Sequence, residues 1–321
     1  MTYITDAKVV SHRRVAAGCR RLVLAAPDIA QAVKPGQFLH VRCDGGTRAG
    51  HPRGAPTSVG RIGLGWVGSA DPLLRRPLSV HDADRERGTV TILYRVVGRG
   101  TGLLAEKRTG ERVNVLGPLG RGFEPPGHPR QSGHPCQPGH PRQWVGHRRV
   151  AIVGGGLGVV PLFFLARELS VGVPPGIQPA NAGTPGHSGV PRRAVAVFQG
   201  ARTAAELDVV DFSILPVDLF TATDDGSRGH AGSVVELFLD TVCHEPVDWV
   251  SAAGPPGMLR ALAGALETLG LSGEFSLEER MGCGIGACVC CSCRIGTPER
   301  WEYRRVCADG PVFPAREVVW E

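Results

Sequence analysis

The sequence predicts a multi-domain β and α/β protein: an N-terminal antiparallel β-barrel, a central parallel-sheet domain and a small cysteine-rich C-terminal domain. Three observations carry this. Polar and apolar residues alternate through Gly120, strand and helix patterns alternate from Arg149 onward, and six of the ten cysteines fall between Cys283 and Cys307.

The barrel comes first along the chain. Residues 7–43 alternate, as in Ala7-Lys8-Val9-Val10-Ser11-His12 and Arg21-Leu22-Val23-Leu24, and Pro35-Gly36-Gln37-Phe38-Leu39-His40 reads as a turn feeding a strand. The pattern resumes at 77–81, 88–97 and 112–120, with a short helical run at Gly102–Lys107. Six or so short strands at this spacing make a small barrel.

From Arg149 the rhythm changes. Buried-type strands at Val150–Val153, Ala194–Phe198, Asp218–Ala222 and Val247–Ala252 alternate with helices at Leu157–Leu169, Thr203–Val209, Ser233–Asp240 and Pro256–Leu269, the signature of a parallel sheet. Val150–Ala166 is a run of 17 uncharged residues, near the lower limit for a membrane span. Its glycines and Pro161 read instead as strand, turn and helix, so no membrane segment is expected. The expected domains are 1–123 with an insertion at 45–70, a linker at 124–148, 149–270 with an insertion at 171–193, and 271–321.

Composition explains the inserted stretches. Of 45 glycines and 26 prolines in 321 residues, 17 and 13 lie in 45–70, 125–147 and 171–193, which hold seven arginines and no acid. Without them the balance is 29 basic against 30 acidic residues, so the formal charge of +6 implies no nucleic-acid partner. Gly-His-Pro recurs at 50–52, 127–129, 133–135 and 139–141. Such proline-broken segments lose much entropy on ordering and are read as solvated loops without function. The hydrophobic share of 42% and charged share of 21% exclude a disordered acidic chain and a coiled coil. No secretory signal opens the sequence, so a cytoplasmic location with reduced thiols is expected.

The densest chemical signal is Cys283-Gly284-Ile285-Gly286-Ala287-Cys288-Val289-Cys290-Cys291-Ser292-Cys293 with Cys307 beyond it. It contains C-x4-C-x2-C and a lone cysteine, the plant-type [2Fe-2S] spacing. Gly282, Gly284 and Gly286 let the backbone curl and turn N–H groups toward sulfur. Two C-x2-C pairs, 288 with 291 and 290 with 293, keep a zinc site as the alternative. Spacing alone leaves Cys290 and Cys293 open as ligands; the C-x4-C anchor favours Cys283, Cys288, Cys291 and Cys307.

Three further motifs suit phosphates. Arg76-Pro77-Leu78-Ser79 offers a guanidinium and a hydroxyl at a strand start. Gly98-Arg99-Gly100-Thr101 opens a helix, with Thr101 expected as its cap. Gly154-Gly155-Gly156-Leu157-Gly158 joins a strand to a helix, although it departs from strict G-x-G-x-x-G. Thr221–Ser227 and Ala253-Gly254-Pro255-Pro256-Gly257-Met258 follow later strands at the open end of such a sheet, where ligands bind.

Taken in order, these residues resemble the ferredoxin reductase superfamily and, within it, the electron-transfer subunits of the two-subunit, NAD-linked dihydroorotate dehydrogenases. The likeness covers nearly the whole chain outside the insertions, and Glu279-Arg280-Met281-Gly282-Cys283-Gly284-Ile285-Gly286-Ala287-Cys288 is its most specific part. It implies an FAD-binding barrel held by Arg76, Pro77, Leu78, Ser79, Leu93, Tyr94, Arg95, Gly100 and Thr101. It implies that Gly154, Gly155, Gly156, Gly158, Gly254 and Pro255 face NAD, and that Cys283, Cys288, Cys291 and Cys307 hold a [2Fe-2S] cluster.

The same resemblance implies an electron relay. Dihydroorotate would be oxidised at FMN in a separate catalytic subunit, and electrons would pass through the cluster and FAD to NAD+, in pyrimidine (UMP) synthesis. A heterotetramer of two catalytic and two transfer subunits follows, with a mobile cluster domain needing a partner surface. No residue is expected to act as a general acid or base. Ferredoxin:NADP+ oxidoreductases and sulfhydrogenase-type diaphorase subunits share the three modules, and a zinc-bound scaffold is the non-enzymatic alternative. The chain departs from the family at Ala253, where cysteine is common, and in its insertions. The resemblance favours NAD, although Arg202 is placed to reach a 2′-phosphate.

Overall fold

The computed structural model describes residues 1–16, 18–43, 72–125, 149–171 and 194–320. The Gly/Pro-rich insertions and their Gly-His-Pro repeats lie outside the described residues, except for the terminal positions 125 and 171.

The first module comprises β1 (Tyr3–Arg14), β2 (Cys19–Ala25), α1 (Pro27–Ala32), β3 (Phe38–Val41), β4 (Arg76–Asp84), β5 (Thr89–Arg95), α2 (Arg99–Ala105) and β6 (Arg112–Leu119). The six strands close into an antiparallel barrel in the order β1-β2-β5-β4-β3-β6. Alternation decides which side chains enter it: Leu22, Leu24, Leu39, Val41, Val80, Ile92, Val113 and Val115 are fully buried in its core. Helix α2 begins three residues earlier than its apolar pattern suggests. Gly98 is the N-cap, and Thr101 lies inside the first turn.

The second module runs β7 (Val150–Gly155), a 3₁₀ turn (Gly156–Gly158), α3 (Val159–Val171), β8 (Val195–Ala201), α4 (Ala204–Leu207), β9 (Asp218–Thr223), β10 (His230–Ala231), α5 (Val234–His244), β11 (Trp249–Ala253), α6 (Pro256–Leu269) and β12 (Gly273–Ser276). The uncharged run at 150–166 is therefore a buried strand and the start of a packed helix. No helix among the described residues is long and apolar enough to cross a membrane. The remainder contributes β13 (Ser292–Gly296), β14 (Trp301–Arg305) and β15 (Val312–Pro314).

The sheet order is β10-β9-β8-β7-β11-β12-β15, parallel except for β15. Chain direction across the sheet reverses between β7 and β11, creating a topological switch point. At its other end Arg149, with a side chain only 5% exposed, binds Asp218 at 2.7 Å and Glu245 at 2.8 Å. This pairing clamps β7 to β9 and α5.

Two seams fix the modules to one another. On the first, α3 packs against β4: the His81 ring stacks on Phe163 at 4.6 Å and Nδ1 donates to the Val160 carbonyl at 3.1 Å. Arg85 reaches Glu168 with both guanidinium nitrogens, at 2.8 and 3.3 Å, and Arg167 pairs with Asp82 at 3.1 Å. On the second, Phe38 and Leu119 of the barrel pack against Cys291, Ile295, Val306, Cys307 and Phe313. The cysteine-rich segment leaves the sheet through β12 and returns through β15, which pair with each other. A shared apolar core and two sheet strands join the cysteine-rich segment, expected as a mobile domain, to the other two modules.

Candidate functional site

On the barrel, register sorts the expected flavin residues. Cross-strand pairing sets Ser79 beside Phe38 and Pro77 beside His40, while Leu78 packs toward the barrel core. Arg76 lies against Gly100: a Cβ there would come within 2.9 Å of Nε. The guanidinium and the start of α2 thus form one cationic cradle that a side chain at position 100 would fill. The Thr101 hydroxyl is already engaged, accepting from the N–H groups of Val97 at 3.0 Å and Gly98 at 3.2 Å and donating to the Gly98 carbonyl at 3.1 Å. It caps the helix from N3, reaching back to the N–H of the N-cap Gly98 as in a capping box, and is not itself the N-cap.

Leu93, Tyr94 and Arg95 point to different places. Leu93 joins the apolar seam with α3. The Tyr94 ring enters the barrel core, where its hydroxyl donates to Nε2 of His12 at 3.1 Å, and His12 Nδ1 donates to the Lys107 carbonyl at 2.7 Å. Burial holds the Tyr94 phenol protonated far above its ordinary range. Only its backbone is left for a ligand. Arg95 reaches Glu206 at 3.4 Å, and Glu206 also binds Arg202 at 2.5 Å.

At the switch point the two glycine loops meet. Gly154 pairs with Ala253 across β7 and β11. A Cβ on Gly158 would lie 2.5 Å from the Ala253 carbonyl oxygen, and one on Gly155 would lie 2.6 Å from Met258 Sδ and 3.1 Å from Pro255. Gly156 adopts φ +54° at the turn. Glycine at these positions lets the two loops pack closely against each other at the switch point, the place in such sheets where ligands bind.

The cysteine loop sorts the six thiols by their hydrogen bonds. Cys283 Sγ accepts from the N–H groups of Ala287 at 3.2 Å and of Ile285 and Cys288 at 3.4 Å. Cys288 Sγ accepts from Cys283 N–H at 3.4 Å, Cys291 Sγ from Cys307 N–H at 3.4 Å, and Cys307 Sγ from Gly286 N–H at 3.2 Å. By contrast, the thiols of Cys290 and Cys293 donate outward, to the carbonyls of Cys288 and Arg304, each at 3.6 Å. Four sulfurs thus each accept at least one backbone N–H, in two pairs, 283 with 288 and 291 with 307. Such a donor set fits a two-iron cluster with two thiolates per iron.

The loop achieves this with strained backbone. Gly284 and Gly286 take φ +72° and +84°, and Val289 takes φ +52°, a left-handed conformation that a β-branched residue rarely adopts. N–H groups of Cys290 and Cys283 lower the Cys288 thiol to about 6, whereas burial pushes Cys293 and Cys307 up to about 12. A cavity of about 840 Å³ opens beside the loop, lined in part by Lys34, Glu124, Glu274, Ile285 and Cys307. Burial raises the Glu274 carboxyl to about 7 against the hydrogen bonds from Glu124 N–H and Ser251 Oγ.

Sequence reasoning missed His40. It is 1% exposed, and neither ring nitrogen has a hydrogen-bond partner among the described residues. Burial and the neighbouring Arg75 lower its pKa; the Cys283 carbonyl opposes this without reaching hydrogen-bond geometry. The strand alternation that places Phe38 on the outer face of β3 also places His40 there.

Comparison with known proteins agrees with this geometry. Residues 278–319 match the iron-sulfur cluster binding domain of dihydroorotate dehydrogenase B. The chain is 37% identical to the dihydroorotate dehydrogenase B (NAD(+)) electron transfer subunit of Desulforamulus reducens, covering 100% of both chains. It is also 37% identical to that of Geobacillus thermodenitrificans, covering 97% of this chain and 96% of the relative. Among solved structures, an NADH-dependent reduced ferredoxin-NADP oxidoreductase superposes with a TM-score of 0.67 at 24% identity, over 98% of this chain and 90% of the other. A ferredoxin NADP+ reductase from Neisseria gonorrhoeae with bound FAD and NADP gives 0.52 at 15% identity, over 83% and 92%. At these identities the structural likeness concerns the fold.

Proposed function

The chain belongs to the dihydroorotate dehydrogenase B (NAD+) electron transfer subunits, and on that premise we propose the residues that do its work. It is an oxidoreductase subunit that operates with a separate catalytic subunit. Arg76, Pro77, Leu78, Ser79, Leu93, Tyr94, Arg95, Gly100 and Thr101 hold FAD, with Arg76 over Gly100 as the phosphate clamp and Tyr94 contributing backbone. Gly154, Gly155, Gly156, Gly158, Gly254 and Pro255 shape the NAD crevice. Cys283, Cys288, Cys291 and Cys307 ligate the [2Fe-2S] cluster.

When bound, FAD exchanges a hydride with NAD+ while the cluster carries single electrons, which is how electrons taken from dihydroorotate at the partner's FMN reach NAD+ for pyrimidine synthesis. The chain's residues bind and orient. The cysteine loop turns its N–H groups toward four sulfurs, placing hydrogen-bond donors where the cluster's sulfur ligands would carry negative charge. The outer wall of β3 and β4 keeps the flavin residues beside that loop, with apolar packing around Phe38 and Leu119 at the junction. Glu206 already occupies Arg202, which supports NAD over a 2′-phosphorylated dinucleotide. Assembly is two transfer subunits with two catalytic subunits in the cytoplasm.

The observation that carries this reading is the division of the six cysteines into four that accept N–H groups and two that donate to carbonyls. The test is an anaerobic visible spectrum with iron, sulfide and flavin assays, before and after NADH. Two irons and one FAD per chain, bleached by NADH, are expected; zinc without flavin would overturn the reading.

A further inference from the structure

A buried imidazole occupies the junction between the expected flavin strand and the expected cluster loop. His40 pairs with Pro77 of β4 on one side and Leu116 of β6 on the other. Leu39 and Val41 point into the barrel, so His40 shares the outer face with Phe38, which packs against Cys291 and Cys307. Gly284, between Cys283 and Ile285, lies on the ring: a Cβ there would come within 2.6 Å of Nδ1, 2.9 Å of Cε1 and 3.0 Å of Cγ. Only glycine lets the loop approach this closely, and its φ of +72° independently favours glycine.

The ring is 1% exposed, and both nitrogens lack a partner among the described residues. A neutral imidazole carries one N–H donor and one acceptor, and leaving both unmet in a buried site is costly. Leu116 and Phe38 beside it are apolar, and Arg75 directs Nη1 to the His40 backbone carbonyl at 3.1 Å, not to the ring. The Cys283 carbonyl faces the ring but stops short of hydrogen-bond geometry, which leaves room on the side where Cys283 and Gly284 press against the ring for a partner that arrives with the loaded protein.

We infer that His40 is a positioning residue of the electron path, its buried N–H donating to a sulfur of the bound iron-sulfur cluster while its ring sets the separation of the Cys283–Gly284 loop from the flavin strand. The inference rests on the proposed cluster at Cys283, Cys288, Cys291 and Cys307. A donor to cluster sulfur stabilises the reduced, more negative state, so removing it makes the cluster harder to reduce.

The test is an anaerobic redox titration of the assembled two-subunit complex, following cluster and flavin separately by EPR and visible absorption, for wild type, His40→Leu and His40→Gln. His40→Leu is expected to lower the ratio of reduced to oxidised cluster about tenfold at a fixed potential, a shift of about 59 mV for one electron. His40→Gln, which keeps an N–H, is expected to recover most of it, with the flavin unmoved. A fully loaded His40→Leu complex with an unchanged cluster potential overturns the inference and leaves a packing role. So does a shift confined to the flavin. If His40→Leu does not retain its cluster, Gly284→Ala decides, since it displaces the loop from an intact imidazole: a lowered potential sustains the inference and an unchanged one refutes it. A wild-type complex without iron and sulfide would instead refute the cluster reading on which this rests.

Discussion

The His81 latch makes the stability of this chain depend on pH in a calculable way. The ring lies between β4 and α3, stacked on Phe163, with Nδ1 donating to Val160. Burial lowers its pKa from 6.5 to about 4. The unfolded chain therefore takes up a proton near 6.5 that the folded chain refuses until about 4, so this residue's contribution is full above 6.5 and is lost as the pH falls. Between pH 7.5 and 5.5 the linkage integral gives a loss of about 1.3 kcal/mol. Glu274 works in the opposite sense, because burial raises its pKa to about 7. Wild type alone would thus show a muted profile. The informative comparison is wild type against His81→Asn, which keeps a donor for Val160 and removes the titration. Urea-unfolding midpoints at the two pH values, converted with a common m-value, should show the advantage of wild type shrinking by about 1.3 kcal/mol at pH 5.5. An advantage equal at both values would refute the reasoning.

Other expectations follow from the same structure. Glu274→Gln should remove a loss of about 2 kcal/mol between pH 5.5 and 7.5, because the folded carboxyl binds a proton up to about 7 that the unfolded one releases near 4.5; parallel denaturation curves for wild type and variant would count against it. Arg149→Ala should cost about 3–5 kcal/mol by leaving Asp218 and Glu245 without their buried partner, read as a lowered urea midpoint with FAD and iron contents unchanged in the folded fraction. Gly158→Ala should weaken NADH binding at least tenfold, about 1.4 kcal/mol, because its Cβ would meet the Ala253 carbonyl; unaltered affinity in a fluorescence titration would remove the crevice from consideration. Cys283→Ser and Cys307→Ser should lose iron and sulfide, whereas Cys290→Ser and Cys293→Ser should keep both. Loss from either of the latter would return the ligand assignment to what spacing alone allows.

Much of the architecture was legible because two periodicities are hard to confuse. Alternation in residues 7–43 and 77–120 wrote out a barrel wall, and apolar strands punctuated by glycine wrote out a parallel sheet. The cysteine loop was legible because few chemistries need C-x4-C-x2-C with glycines between. What escaped was mostly tertiary. β12 and β15 are four and three residues long, too short for a pattern, and acquire strand identity only by pairing with a sheet already formed. Thr101 looked like the N-cap, but its hydroxyl binds backward from inside the first turn, a distinction that depends on where the helix begins. Tyr94 belongs to a three-residue motif, yet pleating sends its ring inward while Leu93 faces the opposite way. His40 carries no motif; its role becomes visible only when the loop holding Gly284 folds over it.

The pairing of Ser276 with Val312 has a topological consequence. The 35 residues from Leu277 to Pro311 begin and end on neighbouring strands, so all six clustered cysteines lie in what is formally the connection of a β-hairpin. Such a connection behaves as a cassette. Its two ends meet whatever lies between them, and exchanging its contents, or replacing it with a tight turn, leaves the strand order of the sheet unchanged. A domain appended at a chain terminus adds a linker and a variable distance, whereas a cassette threaded between paired strands inherits its position from the sheet.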